Sequence, residues 1–304
     1  MYDIIIVGGG PAGLTAAIYA VRYGLNILVL EKNVVPGQIA TTDAVENYPG
    51  FTTIAGLELM DRFKEHAVSL GVEVQTTEVK KIEDGDGKKT VITHDGELEA
   101  KAVIIATGAN PKHLGVPGEE EMIAKGVSYC ATCDGPFFSG EEVIVIGGGE
   151  SALTDALILS NIASKVYVIH RRDQLRSSRI LQERAFSKDN IEFIWDTGLE
   201  KIVCSDAVEG VVLKNVKTGE TTEMDISGVF IYIGIVPNTW MVDVEKNEQG
   251  FIKATEKMKT SVGGIFAAGD CRVTPLWQVV TAVADGAIAA VSAYEYIEGL
   301  ELEQ

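Results

Sequence analysis

Ile4-Ile5-Ile6-Val7-Gly8-Gly9-Gly10-Pro11-Ala12-Gly13 decides the fold, because the same figure returns at Val143-Ile144-Val145-Ile146-Gly147-Gly148-Gly149-Glu150-Ser151-Ala152. Each copy opens with four apolar residues, read as a buried strand, and passes through Gly-x-Gly-x-x-Gly/Ala into a helical stretch. The first helix is expected from about Pro11 to Tyr23, where Gly24 stops it, with a second strand from Asn26 to Leu30 that ends at Glu31. In the second copy a helix to about Ala163 precedes a strand from Lys165 to Ile169, which ends at His170. Twenty-three positions separate Gly8 from Glu31, and the same 23 separate Gly147 from His170. Two strand-turn-helix-strand units at one spacing predict an α/β protein with two Rossmann-like dinucleotide-binding domains.

The glycines explain the chemistry of the turn. The first allows the sharp bend, the second lets backbone approach a pyrophosphate, and the helix N-terminus presents unpaired N–H groups to the anion. The two copies differ where the second strand ends. Glu31 can accept hydrogen bonds from the free hydroxyls of an adenosine ribose, as in FAD or NAD, whereas His170-Arg171-Arg172, with Arg176 one turn on, suits a 2′-phosphate. The second nucleotide is therefore expected to be NADPH.

Between the copies lies Cys130-Ala131-Thr132-Cys133-Asp134. Two thiols separated by two residues can close a small disulfide and reopen it by exchange, and a thiolate on either one is the reacting species. A structural zinc site needs four ligands, and Cys204 and Cys271 are isolated in sequence, so no metal is expected. They read as small core residues.

Bulk composition agrees with this reading. The 304 residues suit two domains, and a net charge of −18 from 26 Lys plus Arg against 44 Asp plus Glu argues against nucleic acid as a partner. The start at Met1-Tyr2-Asp3 lacks the basic region of a signal peptide, and no stretch has the ~18 apolar residues of a membrane span. A cytoplasmic location without membrane contact is expected.

With these motifs, together with Gly37-Gln38, Glu46-Asn47-Tyr48-Pro49-Gly50, Ala106-Thr107-Gly108 and Gly264-Ile265-Phe266-Ala267-Ala268-Gly269-Asp270, the chain resembles the low-molecular-weight, bacterial-type thioredoxin reductases, class II of the pyridine nucleotide-disulfide oxidoreductases, from Tyr2 to about Leu300. The resemblance implies three-layer ββα domains, the second inserted into the first: an FAD domain of residues 1–114 and 238–304, and an NADPH domain of residues 115–237 that carries the dithiol. Turn residues at Gly115-Val116-Pro117-Gly118 and Gly234-Ile235-Val236-Pro237-Asn238 are the expected linkers, about which the inserted domain would swivel.

The same resemblance implies FAD contacts at Gly8, Gly10, Pro11, Ala12, Gly13, Glu31, Lys32, Gly37, Gln38, Asn47, Ala106, Thr107, Gly108, Gly269, Asp270, Gln278 and Val279. It implies NADPH contacts at Gly147, Gly149, Glu150, Ser151, Ala152, His170, Arg171, Arg172 and Arg176. Hydride would pass from NADPH through FAD to a Cys130–Cys133 disulfide, with Cys133 on the flavin side, Cys130 attacking a thioredoxin-like partner and Asp134 handling the proton of the departing thiol. A homodimer is also implied. Other readings remain open on the residues alone: the same flavin and dithiol served by ferredoxin or another protein disulfide, or a non-catalytic flavin or metal sensor. Trp277 stands where many relatives carry a cation, and it either stacks on a cofactor or fills the core.

Overall fold

The structure, a computed structural model, describes residues 1–33, 38–41, 45, 47–85 and 87–299, apart from the side chains of residues 38, 41 and 133. Its contacts divide the chain into two units, Met1–Asn110 with Val236–Gln304, and Pro111–Ile235. The first unit begins with β1 (Tyr2–Val7), α1 (Pro11–Arg22), β2 (Ile27–Glu31), α2 (Gly56–Ser69), β3 (Glu73–Thr76), β4 (Val79–Gly85), β5 (Lys88–Thr93) and β6 (Glu97–Ile105). A crossing strand, β7 (Ala109–Pro111), leads to β8 (Val127–Ser128), α3 (Ala131–Asp134), β9 (Glu142–Gly147), α4 (Glu150–Leu159), β10 (Lys165–Ile169), α5 (Arg179–Phe186), β11 (Ile191–Ile194), β12 (Thr197–Cys204), β13 (Val208–Asn215), β14 (Thr221–Asp225) and β15 (Gly228–Tyr232). The chain returns through β16 (Ile235–Pro237) to β17 (Ile265–Ala267) and α6 (Val279–Ile297).

In the first unit, β1 lies between β2 and β6 in a sheet ordered β3-β2-β1-β6-β5-β4, and β17 adds to β6. Val7 stands opposite Leu30 on one side and Ile105 on the other, and Ala267 is opposite Ile105, all in parallel register. Gly8, Glu31, Ala106 and Ala268 thus emerge at one edge, the carboxyl edge where doubly wound sheets bind ligands. Period-two alternation splits β1 between two cores. Ile4 and Ile6 pack with the alanines of α1 and α6, while Ile5 and Val7 face Val79, Ile82 and Val91 of the β4–β5 hairpin.

The second unit repeats the plan. Its parallel sheet runs β11-β10-β9-β15-β8, and β12-β13-β14 form a separate antiparallel sheet. Val143 and Val145 of β9 pack on Ala152, Leu153, Ala156 and Leu159 of α4, while Ile144 and Ile146 face Leu199, Ile202, Val211 and Leu213 of the antiparallel sheet. Helix, parallel sheet and antiparallel sheet make three layers, as expected from the sequence.

Two expectations need adjustment. Helix α4 ends at Leu159, four residues short of Ala163, because the Ser160 hydroxyl and the Asn161 side-chain amide both donate to the Leu157 carbonyl (2.7 and 3.1 Å) and compete with another helical turn. The division between the units falls at Asn110 and Pro111 and again at Ile235 and Val236, a few residues from the expected 114/115 and 237/238, and Leu114, expected in the first domain, packs on the core of the second unit. Glu119, 1% exposed, fixes this segment by accepting the N–H groups of Leu114 and Gly115 (2.9 and 2.6 Å) and the Tyr129 hydroxyl (2.7 Å). Among the described residues no helix is long and apolar enough to cross a membrane.

Candidate active site

The first turn is built on steric necessity. Gly8 has φ +111°, and a Cβ there would lie 2.2 Å from the Ala106 carbonyl oxygen, so no other residue fits between β1 and β6. Around Gly10 there is open space, and it precedes α1 with no side chain capping the helix, so the first N–H groups of α1 face outward. Pro11 occupies the first helical position, where its missing N–H is no loss. Ala12 and Gly13 are buried beneath.

Glu31 closes the edge. Its carboxylate accepts the N–H of Gly9 (2.7 Å) and of Asn33 (2.8 Å), which leaves lone pairs on both oxygens for other donors. It lines a cleft with Gly9, Leu14, Asn33, Lys64, Val74 and Thr76, and a neighbouring cleft with Lys32, Thr77, Thr107, Asn238 and Trp240. Lys32 places its ammonium 5.7 Å from the Trp240 ring centroid.

Three further expected residues are placed by long-range contacts. The Asn47 side-chain amide donates to Gln278 Oε1 at 2.8 Å across 231 residues of sequence. Gln278 is at the same time the cap of α6, in a reciprocal capping box with Thr281, directly ahead of Val279. Asp270 follows β17 through Gly269, whose N–H donates to Asp285 Oδ2 (3.0 Å). Asp285 in turn is gripped by Arg272 through Nε and Nη2 (2.6 and 2.7 Å). Burial, and then the nearby Asp285 charge, push the Asp270 carboxyl up to about 6, and among the described residues none donates a hydrogen bond to it.

Thr107 donates through its hydroxyl to the Asn238 carbonyl (2.5 Å), and Gly108, at φ +66°, accepts the Asn238 N–H (3.0 Å). Gly37, and the side chain of Gln38, lie outside the described residues. Trp277 is 43% exposed and tilted against Phe251 with centroids 5.8 Å apart, so it does not fill the core. Cys271 is fully buried, donates to the Ile105 and Ala268 carbonyls and has its thiol pushed up to about 11, chiefly by burial, as befits a core residue. An uncapped helix start, an open cradle at Gly10 and a half-buried carboxylate without a donor fit the phosphates and hydroxyls of FAD.

The second unit holds the other turn. Gly147 has φ +152°, and a Cβ would meet the Tyr232 carbonyl at 2.4 Å; Gly149 precedes α4 with open space around it and no side-chain cap. Glu150 accepts the N–H and hydroxyl of Ser178 (2.8 and 2.9 Å), and Arg176 donates its N–H to the Gly148 carbonyl (2.7 Å), which folds the arginine loop over the turn. Arg171, Arg172 and Arg176 are exposed, and no carboxylate pairs with them among the described residues. Ser151 is exposed and Ala152 is buried.

His170 behaves differently from its arginine neighbours. It is buried, and a Cβ on Gly148 would strike its ring at 2.5 Å. Burial holds the imidazole below its ordinary value, and Nε2 contacts the Gln174 carbonyl at 3.1 Å. The ring supports the turn from below, while the guanidinium groups face outward.

The cysteine motif is wound into α3. Cys130 is disulfide-bonded, and Cys204 and Cys271 are free. The Cys130 N–H donates to Ser128 Oγ (3.0 Å), that hydroxyl donates to the Cys130 carbonyl (3.2 Å), and the Asp134 N–H reaches the same carbonyl at 3.1 Å. The Cys133 side chain lies outside the described residues. Behind the motif, the Ala131 N–H donates to the Tyr232 hydroxyl at 2.8 Å, and that hydroxyl is hydrogen-bonded to Asp155 of α4. Of the two phenylalanines that follow, Phe138 packs edge-on against Phe230, whereas Phe137 is 82% exposed. Asp155, Tyr232, Arg272 and Asp285 escaped the sequence reading. The available signal was an acid amid apolar neighbours inside a helix: Asp155 in Ala152-Leu153-Thr154-Asp155-Ala156-Leu157, and Asp285 in the alanine-rich α6.

Two dinucleotide turns, one edged by a carboxylate and one by arginines, together with a disulfide, define a redox protein of the nucleotide-binding α/β class, and the chain belongs to the pyridine nucleotide-disulphide oxidoreductase family, whose model matches residues 2–286. It is similar to proteins named thioredoxin reductase: that of Bacillus subtilis (strain 168), 46% identical over 304 residues, covering 99% of this chain and 96% of that one, and that of Treponema pallidum (strain Nichols), 46% identical over 302 residues, covering 99% and 98%. The crystal structure of Lactococcus lactis thioredoxin reductase superposes with a TM-score of 0.93 at 46% identity, covering 98% of this chain and 100% of that one.

Proposed function

We propose that the protein is an NADPH-dependent, FAD-containing thioredoxin reductase. The observation that carries this reading is the contrast between the two turns: Glu31 with free lone pairs in the unit that has Asp270, and unpaired Arg171, Arg172 and Arg176 in the unit that has Cys130. In this reading the first unit binds FAD and the second binds NADPH. Bound FAD supplies the two-electron relay between the nicotinamide and the disulfide.

The protein groups have separate tasks. Outward N–H groups of α1 and α4 would receive the two pyrophosphates, Glu31 and Asp270 would accept hydroxyl groups, and the paired Asn47 and Gln278 side chains would offer further polar contacts to FAD. The arginines take the 2′-phosphate, which an NADH-selective carboxylate would repel. Cys130 and Cys133 form the redox disulfide; once reduced, Cys130 attacks the disulfide of a thioredoxin-like partner and Asp134 exchanges the proton of the departing thiol. A cytoplasmic homodimer belongs to the same reading and is supported by the sequence resemblance.

The test has two parts. Addition of NADPH should bleach the flavin absorbance and NADH should do so far more slowly. NADPH-coupled reduction of thioredoxin should proceed with the unaltered protein and fail with Cys130→Ser and Cys133→Ser. A protein that stays colourless after reconstitution with FAD overturns the reading.

A further inference from the structure

We propose that Asp155 and Tyr232 act together as a positioning pair for the cysteine motif, fixing the turn at Ala131 and setting the ease with which Cys130 ionises. The inference rests on the reading above only in taking Cys130 as one half of a redox dithiol.

The geometry is a chain of three links. Tyr232 ends β15, and its backbone lies against Gly147, so its position is set by the nucleotide-binding turn. Its hydroxyl accepts the N–H of Ala131, the residue between Cys130 and Thr132, at 2.8 Å. A hydroxyl that accepts there has one proton left to give, and its partner is the Asp155 carboxylate on α4. The Tyr232 ring packs on the apolar core of the second unit. Its hydroxyl and the half-buried Asp155 carboxylate are polar groups that are costly to shield from water unless they are hydrogen-bonded, and the bonds they make lead to the motif.

The pair's task is electrostatic as well as steric. Asp155 is pushed up to about 6, first by burial, with the Tyr232 hydrogen bond opposing, so it carries its charge at neutral pH. Tyr232 is pushed well above the usual tyrosine range, first by burial and then by Asp155, and stays protonated. Asp134 on α3 is the other charged group acting on the pair, and among the described residues no cation does. A negative charge behind the motif disfavours a thiolate in front of it. The pair thus biases the nascent thiol against ionisation and holds its turn.

The test uses full-length protein reduced chemically with dithiothreitol, so it needs neither NADPH turnover nor thioredoxin. Iodoacetamide alkylation is followed at Cys130 by mass spectrometry from pH 5 to 9, with fragment ions resolving it from Cys133 and the peptide mass separating it from Cys204 and Cys271. Asp155→Asn, an isostere that burial favours, should lower the pH midpoint by about half a unit and speed alkylation at pH 7 roughly threefold. Asp155→Glu should restore a profile close to that of the unaltered protein. Tyr232→Phe, which removes the hydroxyl that accepts the Ala131 N–H and leaves Ala131 only its bond to Asp155, should also displace the midpoint. Superimposable profiles for Asp155→Asn and the unaltered protein would overturn the inference, because a merely structural pair changes stability without moving the titration. Absence of NADPH-dependent reduction would defeat the function proposed above and leave this result standing.

Discussion

Replacing Asp270 with Asn should stabilise the flavin-free protein while weakening its hold on flavin. The carboxyl lies near 6 in the folded chain against 3.8 for the free side chain, raised first by burial and then by Asp285. A raised carboxyl binds its proton more tightly when folded, so its favourable contribution is complete below about pH 4, fades as the pH rises towards 6, and is absent above. Two units correspond to about 3 kcal/mol at 1.36 kcal/mol per unit, and allowing for partial solvation about 2 kcal/mol is reasonable. For a unit of this size that is roughly 5 °C in Tm. Thermal unfolding of flavin-free protein by circular dichroism should show Asp270→Asn melting higher at pH 8 and level with the unaltered protein at pH 4. Flavin titration should show the opposite ranking, with at least about tenfold weaker FAD binding, because a charged acceptor strengthens a hydroxyl hydrogen bond by more than 1 kcal/mol. Equal Tm differences at both pH values would refute the electrostatic argument.

Gly286→Ala should cost about 3 kcal/mol or more in urea unfolding, since its Cβ would fall 2.1 Å from the Ala12 carbonyl oxygen and no rotamer change relieves a clash with backbone. Arg272→Met leaves the nearly buried Asp285 carboxylate unpaired and should lower stability by about 3 kcal/mol, measured the same way. Alanine at Arg171, Arg172 or Arg176 should each raise the KM for NADPH about tenfold and leave that for NADH nearly unchanged, as read by steady-state kinetics.

The parts of the fold legible in sequence are those set by neighbours in the chain. The apolar runs at Ile4–Val7 and Val143–Ile146, the glycines behind them and the strand from Lys165 to Ile169 each express a local rule, and the structure contains strands at all three. The remainder depends on contacts that spacing does not encode. Nothing in the neighbourhood of Asn47 announces Gln278, and Arg272 and Asp285 meet only because α6 folds back over Gly269. His170 shows the same dependence: it shares a strand end with two arginines, yet the missing side chain of Gly148 is what makes room for its ring. Leu114 reads in sequence as part of the first domain because the turn residues Gly115, Pro117 and Gly118 come after it, yet its apolar side chain packs on the core of the second unit.

The two crossings of the chain carry an architectural consequence. Gly108 accepts the Asn238 N–H at 3.0 Å within the first unit, and Gly234 accepts the Lys112 N–H at 2.9 Å within the second. Each unit therefore brings its two cut ends within one peptide hydrogen bond of each other. A short splice joining 108 to 238 would heal the outer body, and the excised middle could be circularised or grafted elsewhere with little loop-closure entropy to overcome. Such a cassette lets the thiol-bearing half diversify without disturbing the scaffold that hosts it.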